Sequence, residues 1–338
     1  MDGNNRMKVG ILRGNDAHTY RISQGLMGCG IHVEYLTGTR VAPNVYDIVF
    51  VDPSYPEEVQ HNIGRRVIFF DCEDDPRHFD PSAAYYSLKD HVEYYAKLVY
   101  VEDDRGDGIK NVAFPIVNYL TLSDFARNDW SEIPYSLSPI FIGVPTWLRP
   151  FEEKGGTYSF DTERDIYSVE KPREEENNLR YNQRVDWLLS MEQHDIPYQG
   201  GFVFKEDVDC YTQDFVCSLF GEGIRKWSHP PIAYQANLLS LLQNKVGLCP
   251  AGHDRISWRT FDIMATGAIL FWTDVEDRRM LYMPEASVIV KDGEDFGKVL
   301  NSYEESLPEL LRESEKNVEL LASLTPPKVK EDFLKQIA

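Results

Sequence analysis

Short apolar blocks recur between polar stretches through the first 117 residues. Met7–Arg13 (MKVGILR), Ile31–Leu36, Tyr46–Val51 (YDIVFV), Arg66–Phe70 (RVIFF), Leu98–Val101 and Val112–Val117 are brief and rich in β-branched and aromatic residues, which predicts six strands. Turn residues stop three of them: Gly14-Asn15-Asp16, Asp52-Pro53, and the run from Asp71 to Pro76. Between the blocks, His18–Gly28 and Ser82–Ala96 have the length and spacing of helices. Short hydrophobic strands separated by helices predict a parallel sheet covered on both faces. No G-x-G-x-x-G follows the first strand, so the dinucleotide-dehydrogenase fingerprint is missing.

The rhythm breaks from Asn118 to Phe160, where Pro134, Pro139, Pro145 and Pro150 interrupt a stretch carrying Trp130, Tyr135, Phe141, Trp147 and Phe151. So aromatic a segment is expected to be a packed connection rather than a disordered linker. The strand–helix pattern then restarts: Asp165–Val169 as a strand, Asn178–His194 as a helix, Tyr234–Gln243 as a helix and Lys245–Cys249 as a strand. Arg259–Ala265 follows as a helix, with Ala268–Trp272 and Ala286–Val290 as strands and a helical tail around Pro326-Pro327. The expected fold class is therefore α/β, with two Rossmann-like doubly wound domains, 1–160 and 161–338, facing a cleft. The last helix is expected to return to the first domain.

Composition narrows the chemistry. The 338 residues include 35 Lys+Arg against 55 Asp+Glu, a net charge of −20, which disfavours extended nucleic-acid binding. No apolar run reaches the ~20 residues of a membrane span, and the first residues, MDGNNRMKVGIL, do not read as a secretory leader, so none is expected. Five scattered cysteines without C-x-x-C spacing fit neither a disulfide framework nor a zinc site. The expectation is a soluble, cytoplasmic protein.

The segment Lys245–Asp274, KVGLCPAGHDRISWRTFDIMATGAILFWTD, concentrates the candidate chemistry. A strand ends in Pro250-Ala251-Gly252, and a loop with Arg255 and Ser257 leads into a helix that begins around Arg259. Free N–H groups and the dipole at a helix N-terminus suit phosphate, and guanidinium groups add bidentate contacts. Asp262, about one turn later, is placed to accept from ribose hydroxyls. The pattern Pro250, Gly252, Ser257, Arg259, Phe261, Asp262, Gly267 resembles the donor-binding region of GT-B glycosyltransferases, especially the exostosin and CgeB-like groups. Where those carry Glu, this chain has Asp262. The continuation through Thr273-Asp274, Glu276-Asp277, Ser287–Val290 and Asp295-Phe296 also looks CgeB-like; the first half is similar in architecture only.

The resemblance implies a transferase moving a hexosyl or pentosyl group from a nucleotide sugar, with Gly252, Arg255, Ser257, Arg259 and Asp262 binding the donor. It implies no metal and no other cofactor. The acceptor hydroxyl is left open between a glycan, a small metabolite and a hydroxymethylated DNA base. Candidate bases come from the first domain: His18 after the first strand, with the pKa range of a general base, and Asp71 and Glu73 after the fourth. The acidic run from Asp71 to Asp75 also suggests a divalent-metal site, which the resemblance weighs against. The alternative function is a nucleotide- or sugar-binding module without turnover.

Overall fold

The computed structural model describes residues 7–12, 16–36, 45–60, 64–71, 82–97, 100–101, 108–114, 119–143, 149–154, 157–162, 165–168, 183–204, 213–214, 217, 222–250, 258–273, 278–291 and 293–338. The chain divides into two compact units. The first is Met1–Ser123 with Asp277–Met283 and Ser323–Ala338; the second is Asp124–Glu276 with Pro284–Ala322.

In the first unit, β1 (Val9–Leu12), β2 (Val33–Leu36), β3 (Tyr46–Val51), β4 (Gly64–Asp71) and β5 (Tyr94–Lys97) join one sheet, while β6 (Tyr100–Val101) lies outside it. β7 (Lys110–Ala113) completes the order β2-β1-β3-β4-β5-β7, and every pairing is parallel. The first four expected strands fall on their sequence blocks, with apolar residues buried on both faces in β1 and most of β3. The expected Leu98–Val101 is only β6, outside this sheet, and the expected Val112–Val117 overlaps β7 at Val112 and Ala113. The helix expected over Ser82–Ala96 is shorter: it runs Ala83–Leu88 with a 3₁₀ turn to His91, and Tyr94–Lys97 is instead the fifth strand of the sheet. Tyr94, Tyr95 and Ala96 are buried there between β4 and β7, and cross-strand packing outweighs local helical spacing. The C-terminal helix Pro326–Gln336 belongs to this unit, as expected. Its Phe333 lies 5.2 Å from Phe114 and 6.3 Å from Phe50, and Gln336 exchanges hydrogen bonds with Ala113 at 2.9 and 3.0 Å.

The second unit begins inside the stretch expected to be a connection. The helix Tyr119–Ala126 straddles the division, and β8 (Ser138–Gly143) is an inner strand of the second sheet. Pro139 masks it in the sequence, since proline removes a ladder donor. The pairing explains why it is tolerated: the neighbour on one side pairs only from Ile140 onward, so Pro139 faces β13 alone. β9 (Arg149–Lys154), β10 (Thr157–Thr162) and β11 (Asp165–Ser168) form a separate antiparallel sheet. The expected strand at Asp165–Val169 is therefore present as β11, but it does not open a doubly wound domain.

The second parallel sheet is completed by β12 (Gln199–Phe202), β13 (Lys245–Cys249), β14 (Ile269–Thr273) and β16 (Val288–Val290), in the order β12-β8-β13-β14-β16. Between the last two, β15 (Arg278–Arg279) belongs to the first unit and pairs antiparallel with β6. Gly200, at φ +94, lets β12 approach β8: a Cβ there would meet the Phe141 carbonyl at 2.1 Å. One face is covered by the helix over 183–193, whose Trp187 stacks on Phe296 at 4.2 Å, and by the helices Phe296–Ser302 and Leu307–Ala322.

Asp295 caps Phe296–Ser302, accepting from the Lys298 N–H, and also accepts from Ser190 Oγ at 2.5 Å and from His194 Nε2. Both side chains bind the carboxylate rather than each other. The trio therefore joins two helices and does not form a nucleophile relay.

Candidate functional site

Chain order within each sheet identifies where a ligand is expected. Numbering the strands of the second sheet by sequence gives 2-1-3-4-5, so direction reverses between β8 and β13. In open parallel sheets, the crevice beyond the carboxyl ends at that reversal is the usual ligand site. Here it is bounded by Ile142 and Gly143 on β8, and by Cys249 on β13, which leads to the helix Trp258–Thr266.

Arg259, in the first turn of that helix, spans the crevice. Its Nη2 donates to the Ile142 carbonyl at 2.5 Å, and its guanidinium carbon lies 4.6 Å from the centre of the Phe141 ring. A carbonyl dipole and a π-face orient the cation without neutralising it. Burial pulls its pKa down from the ordinary value, an effect opposed by Cys249 and Asp262. Gly143 makes the arrangement fit: a Cβ there would come within 2.3 Å of Nη2.

Asp262, one turn on, is 8% exposed and accepts a 2.7 Å hydrogen bond from Tyr234 Oη at the start of the helix Tyr234–Asn244. Burial raises its pKa to about 6, against the opposing pull of the Tyr234 hydrogen bond and Arg259. The Tyr234 hydroxyl is pushed upward by its own burial and by that carboxylate. Cation, carboxylate, phenol and ring thus meet at one end of the sheet, a set suited to an anion carrying hydroxyl groups.

Of the residues expected at the donor site, Arg259 and Asp262 lie about one turn apart on the helix Trp258–Thr266, while Gly252, Arg255 and Ser257 lie outside the described residues. Sequence reading missed Phe141, Gly143 and Tyr234. The available signal was Phe-x-Gly at a strand's carboxyl end, hidden behind Pro139.

Among the candidate bases, His18 lies in the first turn of the helix Asp16–Gly28, which follows β1, and Asp71 is the last residue of β4. Only their backbone is described, and Glu73, with the rest of the acidic run, lies outside the described residues. Among the described residues, no group of three His, Cys, Asp or Glu side chains is arranged to hold a metal ion, and no helix is long and apolar enough to cross a membrane.

No protein-family profile matches the chain, and neither does any curated protein. Solved structures do. The chain is similar to Anabaena Alr3699/HepE in complex with UDP at 10% identity and a TM-score of 0.52, over 98% of this chain and 99% of that one. It is also similar to an alpha-glucosyltransferase in complex with UDP and a 13-mer DNA containing a central A:G mismatch, at 11% identity and a TM-score of 0.51, again over 98% and 99%. At this identity the likeness shows fold alone. That fold is GT-B, two Rossmann-like α/β units in one chain.

Proposed function

We propose that the protein is a glycosyltransferase that moves a sugar from a nucleotide-sugar donor to an acceptor hydroxyl. The observation that carries this reading is Arg259, held by the Ile142 carbonyl and the Phe141 ring at the reversal point of the second sheet. A cation fixed there, in the first turn of a helix, stabilises the negative charge that grows on a departing diphosphate. Gly252, Arg255 and Ser257, which precede the helix in the sequence, join it as phosphate contacts. Asp262 accepts from the ribose.

UDP in both similar structures supports a uridine diphosphate sugar as the donor. The transferred group is a hexose or pentose. The residues that support the exostosin and CgeB-like grouping are Pro250 through Gly267. Cation chemistry falls to arginine and helix N–H groups, so the reading invokes no metal or other cofactor. The buried thiols of Cys29, Cys217 and Cys249 fit a reducing, cytoplasmic setting.

The acceptor binds to the first unit, where His18, Asp71 or Glu73 removes the proton of its hydroxyl if the anomeric centre inverts. A net charge of −20 favours a glycan or small metabolite over a modified DNA base as acceptor.

The test is nucleoside diphosphate release from UDP-glucose, UDP-galactose, UDP-N-acetylglucosamine and GDP-mannose, with and without simple glycoside acceptors. Slow release without acceptor and faster release with one is expected. Tight nucleotide binding with no release under any condition makes the chain a binding module instead.

A further inference from the structure

At the opposite end of the second sheet, where β13 begins, the structure has a cavity of about 280 Å³ that the donor site does not use. Its walls come from three places: the segment after the helix Tyr119–Ala126, the ends of the helices Tyr234–Asn244 and Trp258–Thr266, and one side of Leu307–Ala322. All its lining residues lie in one unit.

The walls are of two kinds. Trp130 and Tyr135 supply aromatic surface. Phe125 stacks on the indole at 4.7 Å, and Trp130 Nε1 donates to the Phe125 carbonyl at 3.0 Å, so the ring is fixed with one face covered. Tyr135 is 57% exposed. The polar groups are Lys245, Glu315, Ser131 and Asn128. Lys245 has a left-handed backbone, φ 48, uncommon for a side-chain-bearing residue. Its ammonium donates to the Thr266 carbonyl, which leaves two of its three donors. Burial lowers its pKa to about 8, opposed by Glu315, which places the carboxylate within electrostatic reach of the amine.

This combination selects a ligand class. A formal anion meets Glu315 and a formal cation meets Lys245, so a ligand of either charge gains from one group and is repelled by the other. A neutral polyhydroxylated ring uses both: it accepts from the ammonium and donates to the carboxylate. The C–H face of such a ring packs on an aromatic surface, and aromatic walls with a few convergent polar groups are what small-ligand sites present. The volume lies just below the ~300–1,000 Å³ of such sites, which suits one ring rather than an extended chain.

We propose that this cavity is a subsite for one uncharged sugar residue, separate from the donor site and flanked by Trp130, Tyr135, Lys245 and Glu315. The proposal does not depend on the transferase reading, because none of the four contacts the Arg259 guanidinium in the interactions described above.

The experiment is ligand-observed NMR on the full chain with methyl glucoside, methyl galactoside and N-acetylglucosamine as uncharged probes, and glucuronate and glucosamine as charged ones. At least one uncharged probe is expected to bind, and both charged probes at least severalfold more weakly. Tyr135→Ala is expected to weaken that binding at least tenfold and Glu315→Gln severalfold. Both positions are exposed, and circular dichroism checks that the variants fold. Arg259→Ala is expected to leave the binding unchanged, which separates failure here from failure of the donor-site reading. No binding by any uncharged probe, equal binding of charged probes, or binding unaltered in both Tyr135→Ala and Glu315→Gln would overturn the proposal.

Discussion

The two parallel sheets share one strand order, 2-1-3-4-5, with a sixth strand added in the first, yet the described side chains at their reversal points differ in charge. In the second, between β8 and β13, a guanidinium lies against a ring and a single carbonyl. In the first, β3 is followed by Asp52, 1% exposed, whose Oδ1 accepts from Ser54 N–H at 2.8 Å and Ser54 Oγ at 2.5 Å. That carboxylate accepts from its own turn, whereas the arginine donates to the carbonyl of a neighbouring strand. Shared topology therefore supplies two equivalent crevices, and side chains decide which one attracts an anion.

The largest expected effect tests whether proton transfer belongs to the first unit and diphosphate binding to the second. His18→Ala or Asp71→Asn, with Glu73→Gln as the third variant, is expected to lower turnover by about 10²–10⁴-fold while nucleoside diphosphate affinity stays near wild type. Steady-state kinetics and calorimetry read the two quantities separately. Wild-type turnover in all three variants removes base catalysis from the first unit, leaving a retaining reaction in which the departing diphosphate takes the proton.

Next is the cation itself. Arg259→Ala is expected to weaken nucleoside diphosphate binding by about 1.5–3 kcal/mol, the scale of a hydrogen bond to a charged group. Arg259→Lys is expected to recover only part of this, because an ammonium lacks the planar fork that spans ring and carbonyl. Equal affinity in Arg259→Ala, with the fold intact, would mean that the two crevices do not differ as argued. A subtler version is Gly143→Ala. The added Cβ displaces Nη2 from the Ile142 carbonyl, and affinity is expected to fall about tenfold, or ~1.4 kcal/mol. Unchanged affinity would show that the Ile142 hydrogen bond does not matter for the ligand.

Much of this contrast was legible in the sequence. Tyr46–Val51 and Lys245–Cys249 coincide with β3 and β13 residue for residue, because strands buried on both faces are apolar at most positions, here all but Asp47 and Lys245. Arg259 and Asp262 were legible for a related reason: a helix start after such a strand needs little tertiary information. β8 was not legible, since Pro139 argues locally against an inner strand and only the register of its neighbours shows why it is allowed. With β8 unread, Phe141 and Gly143 were unread too. Tyr94–Lys97 failed the other way, because its neighbours fit a helical pattern until β4 and β7 flank it.

Asp262 gives a pH version of the comparison. Its pKa, raised by burial to about 6, means that its ionised form costs folding stability; the relative advantage of protonation is fully present below the ordinary carboxylate range and is lost as pH rises through about 6. If the ionised form accepts from ribose, nucleoside diphosphate affinity is expected to decline below about pH 6 in wild type more steeply than in Asp262→Asn. The phosphate's own titration is common to both proteins and cancels in their ratio. Parallel pH curves would assign Asp262 to holding Tyr234 alone.

The smallest effect concerns the crevice of the first sheet. If Asp52 serves its turn rather than a ligand, Ser54→Ala removes one hydroxyl donor from a buried carboxylate and leaves the Ser54 N–H in place. The expected cost is about 1–2 kcal/mol of local stability, near the range for a hydrogen bond to a charged acceptor. A chain of two units need not unfold in one step, so a single unfolding midpoint is a poor readout. Amide exchange through Val51–Tyr55 is the better one, with Tyr55 N–H, bonded to the Asp52 carbonyl at 3.0 Å, as its reporter. Faster exchange confined to that turn, with nucleoside diphosphate affinity unchanged, is what a structural carboxylate requires. A fall in affinity instead would give Asp52 a share in ligand binding, and the two reversal points would then be less different than their side chains make them.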